Sequence, residues 1–320
     1  PSTEYVTTKR TDNMISKHIT CAFLYSITRY GYPPAADRMI DYIREMAELG
    51  FRSVELEGIG GEHLQAVANR STEIRNALDD HGLSLAVFCT VLPRLGSVHA
   101  EQRTQALELF RLGCETAVAL GAPAVLDNGP LVPYEFPADL PVSRHYAPDL
   151  LQRIGLPVSL DWSLYRDALV ETLQRACDIA AEHGLAYYLH PCCGSLTETT
   201  DGYLWLKQAV GRANLKFNFD VANQFYMREN LSLGLLKLAG EIDYIHISDN
   251  RGDRIEHRTV GDGAIDWKLF FATLARIGFR GQLSIDVGGA ETGIEDLDAA
   301  YRISAERLEA LSKRYKLFKQ

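Results

Sequence analysis

The sequence is short of several features that would decide its class at once. None of its apolar runs approaches the roughly 18 residues that a membrane-spanning helix needs. The N-terminal stretch PSTEYVTTKRTDNMISKH is polar and carries no apolar signal core, so a soluble, cytoplasmic protein is expected. A surplus of basic charge is missing as well. The formal net charge is −9, which argues against binding to a phosphate backbone, so neither nucleic acid nor membrane is expected as a partner. Cysteine is sparse. Cys21, Cys89, Cys114, Cys177, Cys192 and Cys193 form no CxxC pair, which disfavours a structural zinc knuckle, and a disulfide framework is not expected at this size and in that compartment. Cys192 and Cys193 stand at a strand end, where a reactive thiol is conceivable, although free cysteines are usually small buried hydrophobes. A complete GxGxxG loop is absent too; ELEGIGGEH comes nearest, which counts against a doubly wound nucleotide-binding sheet.

What is present is an ordinary globular balance, 46% hydrophobic and 23% charged over 320 residues. Eight short apolar runs alternate with longer amphipathic stretches: HITCAFLYSIT, FRSVELEG, LSLAVFCTVL, PAVLDNG, LAYYLHP, LKFNFDVAN, IDYIHISDN and GQLSIDVGG. Across residues 163–183, Leu164, Ala168, Leu169, Leu173, Ala176, Ile179 and Ala180 recur at helical spacing. Gly50, Gly82, Gly121 and Gly184 each close a helical pattern before a strand, as C-terminal caps do. Eight strand–helix units predict a single-domain (β/α)₈ barrel spanning 1–320. One long proline-rich stretch, 127–161, interrupts the alternation, and a segment of this kind is expected to cover the barrel mouth or to form a subunit contact.

In such a barrel the chemistry lies at the C-terminal strand ends. The runs end in Glu55 and Glu57, in Asp127 and Asn128, at His190, at Asp220 with Asn223 beyond, at His246 followed by Asp249, Asn250 and Arg251, and at Asp286. Singly, each has a plainer reading. A strand-end aspartate can cap the next helix, and a lone strand histidine is more often structural. Four consecutive runs ending in His190, Asp220, His246 and Asp286 are harder to dismiss. Two imidazoles and two carboxylates suit one divalent ion, with Mn²⁺, Co²⁺, Fe²⁺ or Zn²⁺ favoured over Mg²⁺.

The chain resembles the xylose isomerase-like TIM barrels, the sugar phosphate isomerase/epimerase superfamily. The most specific stretch is IHISDNRGDRIEHRTVGDGAIDW. It pairs His246 with a second histidine, His257, and a Gly-x-Gly-x-Ile-x-Trp entry through Gly261, Gly263, Ile265 and Trp267. The resemblance implies a metal held by Glu, Asp, His and Glu at the ends of strands 5 to 8. Here His190, Asp220, His246 and Asp286 occupy those places, so both glutamates are replaced, and Asn223 stands where the family has a histidine. A metal-bound imidazole has no lone pair left on the bound nitrogen, so His190 would be a ligand more than a base. Asp286 and His257 are the remaining catalytic candidates, and Glu57, Asp127, Asn223 and Arg251 the candidate substrate contacts. The alternatives for His257 and Arg251 are a solvated loop histidine and an exposed salt-bridge partner. For Glu55 and Glu57 the alternative is a buried pair.

The activity implied is a sugar isomerase or epimerase acting on a small keto-sugar or polyol through a metal-stabilised enediolate. A lyase of the same superfamily, eliminating water or an aglycone, is the second reading, because losing the paired glutamates suits a reaction that needs one base. A non-catalytic sugar-binding barrel or partner subunit is the third. A homo-oligomer is expected, with a hetero-oligomer as the other assembly.

Overall fold

The structure, a computed structural model, describes residues 14–136 and 148–318. Eight parallel strands close in sequence order: β1 (Ile19–Cys21), β2 (Ser53–Ile59), β3 (Ser84–Val91), β4 (Ala124–Asn128), β5 (Ala186–His190), β6 (Leu215–Asp220), β7 (Tyr244–Ile247) and β8 (Gln282–Ile285), with β8 pairing back onto β1. The expected (β/α)₈ barrel is therefore the observed architecture. Each apolar run contributes a strand, but the first is mostly something else. After Cys21 the chain turns into the helix Leu24–Tyr30. A short apolar run suits a buried helix as well as a strand, and Leu24, Tyr25 and Ile27 are all buried.

Between β4 and β5 runs the helix Trp162–Glu182. Its first turn is closed by Asp161, whose Oδ1 accepts the Leu164 N–H at 3.1 Å. Tyr165, Leu169, Leu173, Ala176 and Ala180 form its buried stripe, whereas Leu164, expected among them, is exposed. A straight 3.6-residue repeat carries the stripe through Tyr165 instead. Gly50, Gly82, Gly121 and Gly184 all take positive φ, from 64° to 97°, where a side chain would be strained.

Strand register decides which side chains see the lumen. Val87, Cys89, Ala124, Leu126, Tyr188 and Tyr244 pack together as an apolar plug inside the barrel. One step further along, Asn128 pairs with His190, and Asp220 with His246. Because side chains alternate, these lie on the same inner row as the plug and form the mouth above it. Of the long stretch, residues 137–147 lie outside the described residues. The flanking parts pack onto the chain that follows β5. Leu131 bridges Ser195, the Leu196 N–H donates to the Pro130 carbonyl at 2.8 Å, and Glu135 bridges Gly155. The described part of this stretch thus lies against the segment leaving His190, at the mouth end. Among the described residues no helix is long and apolar enough to cross a membrane.

Candidate metal centre

At the mouth, four of the expected residues meet. His190, Asp220, His246 and Asp286 are each at most 4% exposed. His190 Nε2 lies 3.5 Å from Asp220 Oδ2, and His246 Nδ1 lies 4.0 Å from that oxygen and 3.8 Å from Asp286 Oδ2. These separations are long for hydrogen bonds. They are what two donors leave between them when each stands about 2.0–2.2 Å from one ion. His246 Nδ1 is buried without a hydrogen-bond partner, a costly state unless something else takes its lone pair. The ligand atoms of His190, Asp220 and His246 fall within 4.8 Å of one another, as do those of Asp220, His257 and Asp286, so Asp220 belongs to both groups. On that test the residues fit a divalent cation.

Local structure places each of them. Asp220 caps the helix Val221–Tyr226, its Oδ1 accepting the Asn223 N–H at 2.9 Å, while its Oδ2 is the oxygen that faces His190 and His246. Burial holds its carboxyl above the usual range. The Asp286 N–H donates to the Ile247 carbonyl at 2.9 Å, which continues the β7–β8 ladder beyond β8. His246 Nε2 sits 2.9 Å from Glu55 Oε2, which also accepts the Tyr244 hydroxyl at 2.8 Å. Burial alone would disfavour a charged His246. The carboxylates of Glu55, Asp286 and Asp220 overcome that and push its pKa up to about 9, so a cation taken up at Nδ1 would displace a proton from it.

His257 is no solvated loop residue. The loop after β7 folds back as a short antiparallel pair, Asp249 with Arg258 and His257 with Gly288, and His257 is wholly buried. Its Nε2 is 3.9 Å from Asp286 Oδ2, and its Nδ1 is 3.2 Å from Glu291 Oε1. The Gly-x-Gly-x-Ile-x-Trp stretch ties this loop down through Asp249, whose Oδ2 accepts the Gly261 N–H at 2.8 Å and the Trp267 indole N–H at 2.7 Å. A Cβ on Gly263 would come 2.7 Å from the Asn250 backbone, so that position demands glycine.

Three expected substrate contacts go elsewhere. Asp127 pairs with Leu189 on the outer row, and its Oδ1 accepts the Leu92 and Asn128 N–H groups at 3.1 and 2.8 Å. It braces the loop after β3, and its burial raises its pKa well above the ordinary value. Asn223 Nδ2 donates to Asp220 Oδ2 at 3.1 Å and to the Pro191 carbonyl at 3.0 Å, so both amide protons hold protein atoms in place. Arg251 is exposed, because the fold-back draws Asp249 and Asn250 inward and turns Arg251 out. Glu57, on the inner row opposite Cys89, is half-buried at the mouth as expected. Cys192 is buried, and burial pushes the Cys193 thiol up to about 11, which opposes a reactive thiolate at neutral pH. Sequence reasoning missed the Glu55–His246 contact, for which only the alternation of Glu55 and Glu57 on β2 was a signal. Beside the centre, under the ends of β3 to β5, lies a mainly apolar cavity of about 90 Å³, lined among others by Tyr32, Val91, Leu95, Asn128 and Leu131.

Comparison with known proteins bears on the fold and the family. The curated relative matched is an uncharacterized protein of Methanocaldococcus jannaschii, 24% identical over 169 residues. That match covers 48% of this chain and 54% of the relative, so the chain spans about half the length of that protein. Among solved structures, an L-ribulose 3-epimerase superposes with a TM-score of 0.72 at 16% identity, covering 94% of this chain and 96% of that one. The 3-keto-D-glucoside 4-epimerase of E. coli gives 0.69 at 18%, covering 92% and 100%. D-allulose 3-epimerase from Methylomonas sp. also gives 0.69 at 18%, covering 93% and 99%. At such identities the likeness establishes the fold. The sequence profile of one family matches residues 43–311, and on that match the chain belongs to the xylose isomerase-like TIM barrel family.

Proposed function

We propose that this chain is a divalent-metal-dependent sugar isomerase or epimerase acting on a small keto-sugar or related polyol. The observation that carries the reading is the open Nδ1 of His246, buried and aimed between the Asp220 and Asp286 carboxylates with His190 alongside. Family membership and the epimerases among its structural neighbours agree with it. His190, Asp220, His246 and Asp286 would hold the ion, with the nitrogen-rich set favouring Mn²⁺, Co²⁺, Fe²⁺ or Zn²⁺ over Mg²⁺. An ion there supplies Lewis-acid polarisation of a carbonyl.

The chain's own part is positioning and proton movement. Of the two carboxylates among the four residues, Asp220 caps the helix after β6, so Asp286 is the candidate base for the carbon-bound proton. His257 lies behind it, and Glu291, part-exposed, lies behind His257, so a proton has a route outward. Burial keeps water from Asp220 and Asp286. A lyase is the second reading. It is favoured by the histidine at the end of β5, which leaves one base candidate rather than a pair across the site.

The test is metal analysis of the purified protein, then a screen of keto-sugars in deuterated water. Deuterium uptake with the carbon skeleton intact supports isomerase or epimerase chemistry. Loss of water or an aglycone shifts the assignment to the lyase. Tight sugar binding with neither outcome overturns an enzymatic role.

A further inference from the structure

Glu55 and His246 are 191 residues apart, on β2 and β7, yet their side chains meet across the lumen. Glu55 is 1% exposed and His246 4%. Glu55 Oε2 accepts the Tyr244 hydroxyl at 2.8 Å and faces His246 Nε2 at 2.9 Å, while Oε1 faces the Phe23 N–H at 3.4 Å. A carboxylate only accepts hydrogen bonds, so the proton of this contact resides on Nε2. An imidazole with Nε2–H offers its lone pair from Nδ1, and Nδ1 is the atom aimed at Asp220 and Asp286. The Tyr244 hydroxyl and the Phe23 N–H fix the carboxyl group in turn. Tyr244 belongs to the apolar plug of the lumen, so the whole contact is anchored in the rigid floor of the mouth.

We propose that Glu55 is the positioning residue of the metal centre: reaching across the barrel from β2, it fixes the tautomer and ring orientation of His246 so that Nδ1 serves as the ligating atom. The inference rests on the metal reading above and adds a residue outside the four strand-end ligands. Carboxylates that orient a ligating histidine typically contribute 10- to 100-fold to metal affinity. The Glu291–His257 contact, at 3.2 Å, resembles it in kind, but Glu291 is far more exposed than Glu55.

The experiment measures Co²⁺ and Zn²⁺ affinity of the full chain by competition with a chromophoric chelator, together with the visible spectrum of the Co²⁺ form. Wild type, Glu55→Gln, Glu55→Leu and Tyr244→Phe are compared. Wild type is expected to take up one equivalent. Glu55→Gln, which keeps an acceptor oxygen, should weaken affinity about 10-fold, and Glu55→Leu about 100-fold. At saturating Co²⁺ both should show an altered spectrum, which a merely structural role would not produce. Tyr244→Phe should fall between wild type and Glu55→Gln. If Glu55→Leu fails to fold, the near-isosteric Glu55→Gln decides alone. Folded variants that bind Co²⁺ as tightly as wild type, with an unchanged spectrum, overturn the role of Glu55 and leave the metal centre standing. A wild-type chain that binds no metal overturns the metal reading itself, and this role with it.

Discussion

Along β5 to β8 the inner row of the barrel ends in His190, Asp220, His246 and Asp286, whereas along β1 to β4 it ends in Ala22, Ile59, Val91 and Asn128, with Glu57 one inner position below Ile59. The first half concentrates donors that share one small volume. The second lines much of a mainly apolar cavity, and on its inner row it buries the carboxylate Glu55 a layer below the rim. Buried charges are tolerated only where partners or cations compensate them. The inner rims of the two halves differ in kind: one gathers ionisable donors, the other is mainly apolar. The exception, Glu55, is the link between them.

The strongest way to break that division is to remove donors from the charged half. Asp220→Ala and His246→Ala should each abolish stoichiometric metal binding, read by metal analysis after dialysis, while circular dichroism shows the barrel intact. One retained equivalent in both variants would place the site elsewhere. A nearly comparable effect is expected at the seam between the halves. A Cβ on Gly129 would stand 1.9 Å from Thr197 Oγ1 and 3.0 Å from the His190 carbonyl oxygen, to which the Gly129 N–H donates at 2.7 Å. Gly129→Ala should therefore cost about 1–3 kcal/mol in denaturant unfolding through overpacking, and should weaken metal binding by displacing His190. An unchanged unfolding midpoint would show that the seam is not rigid.

A milder test alters the chemistry of the charged half without emptying it. His190→Glu should retain metal, but with one more anionic donor it should tolerate Mg²⁺ better and change the rate or course of the reaction. Equal activity of the native protein with Mg²⁺ and Mn²⁺, or a kinetically silent His190→Glu, would strip the histidine of any special role. The smallest effect is expected at Arg251. It is exposed beyond the fold-back, so Arg251→Ala should leave metal affinity unchanged and KM within about twofold. A tenfold rise in KM would put that side chain back at the mouth.

Much of this was legible in the chain because it is local. The alternation of apolar runs with helical periodicity, the capping glycines and the strand-end positions of His190, Asp220, His246 and Asp286 all follow from patterns within a few residues. The first run misled because short apolar segments look alike as strand or helix, and only its packing decided between them.

The sequence by itself determined the barrel and the four donors at the ends of β5 to β8, since hydrophobic period and strand termini are properties of neighbouring residues. Only the closed barrel decided the rest. Side-chain alternation, counted from the lumen plug, turned Asp127 outward. The fold-back after β7 buried His257 and exposed Arg251. Pairing of β5 with β6 brought the Asn223 amide to the Pro191 carbonyl. And closure brought Glu55 to His246 across 191 residues, a contact no local pattern encodes because it depends on the curvature of the whole sheet.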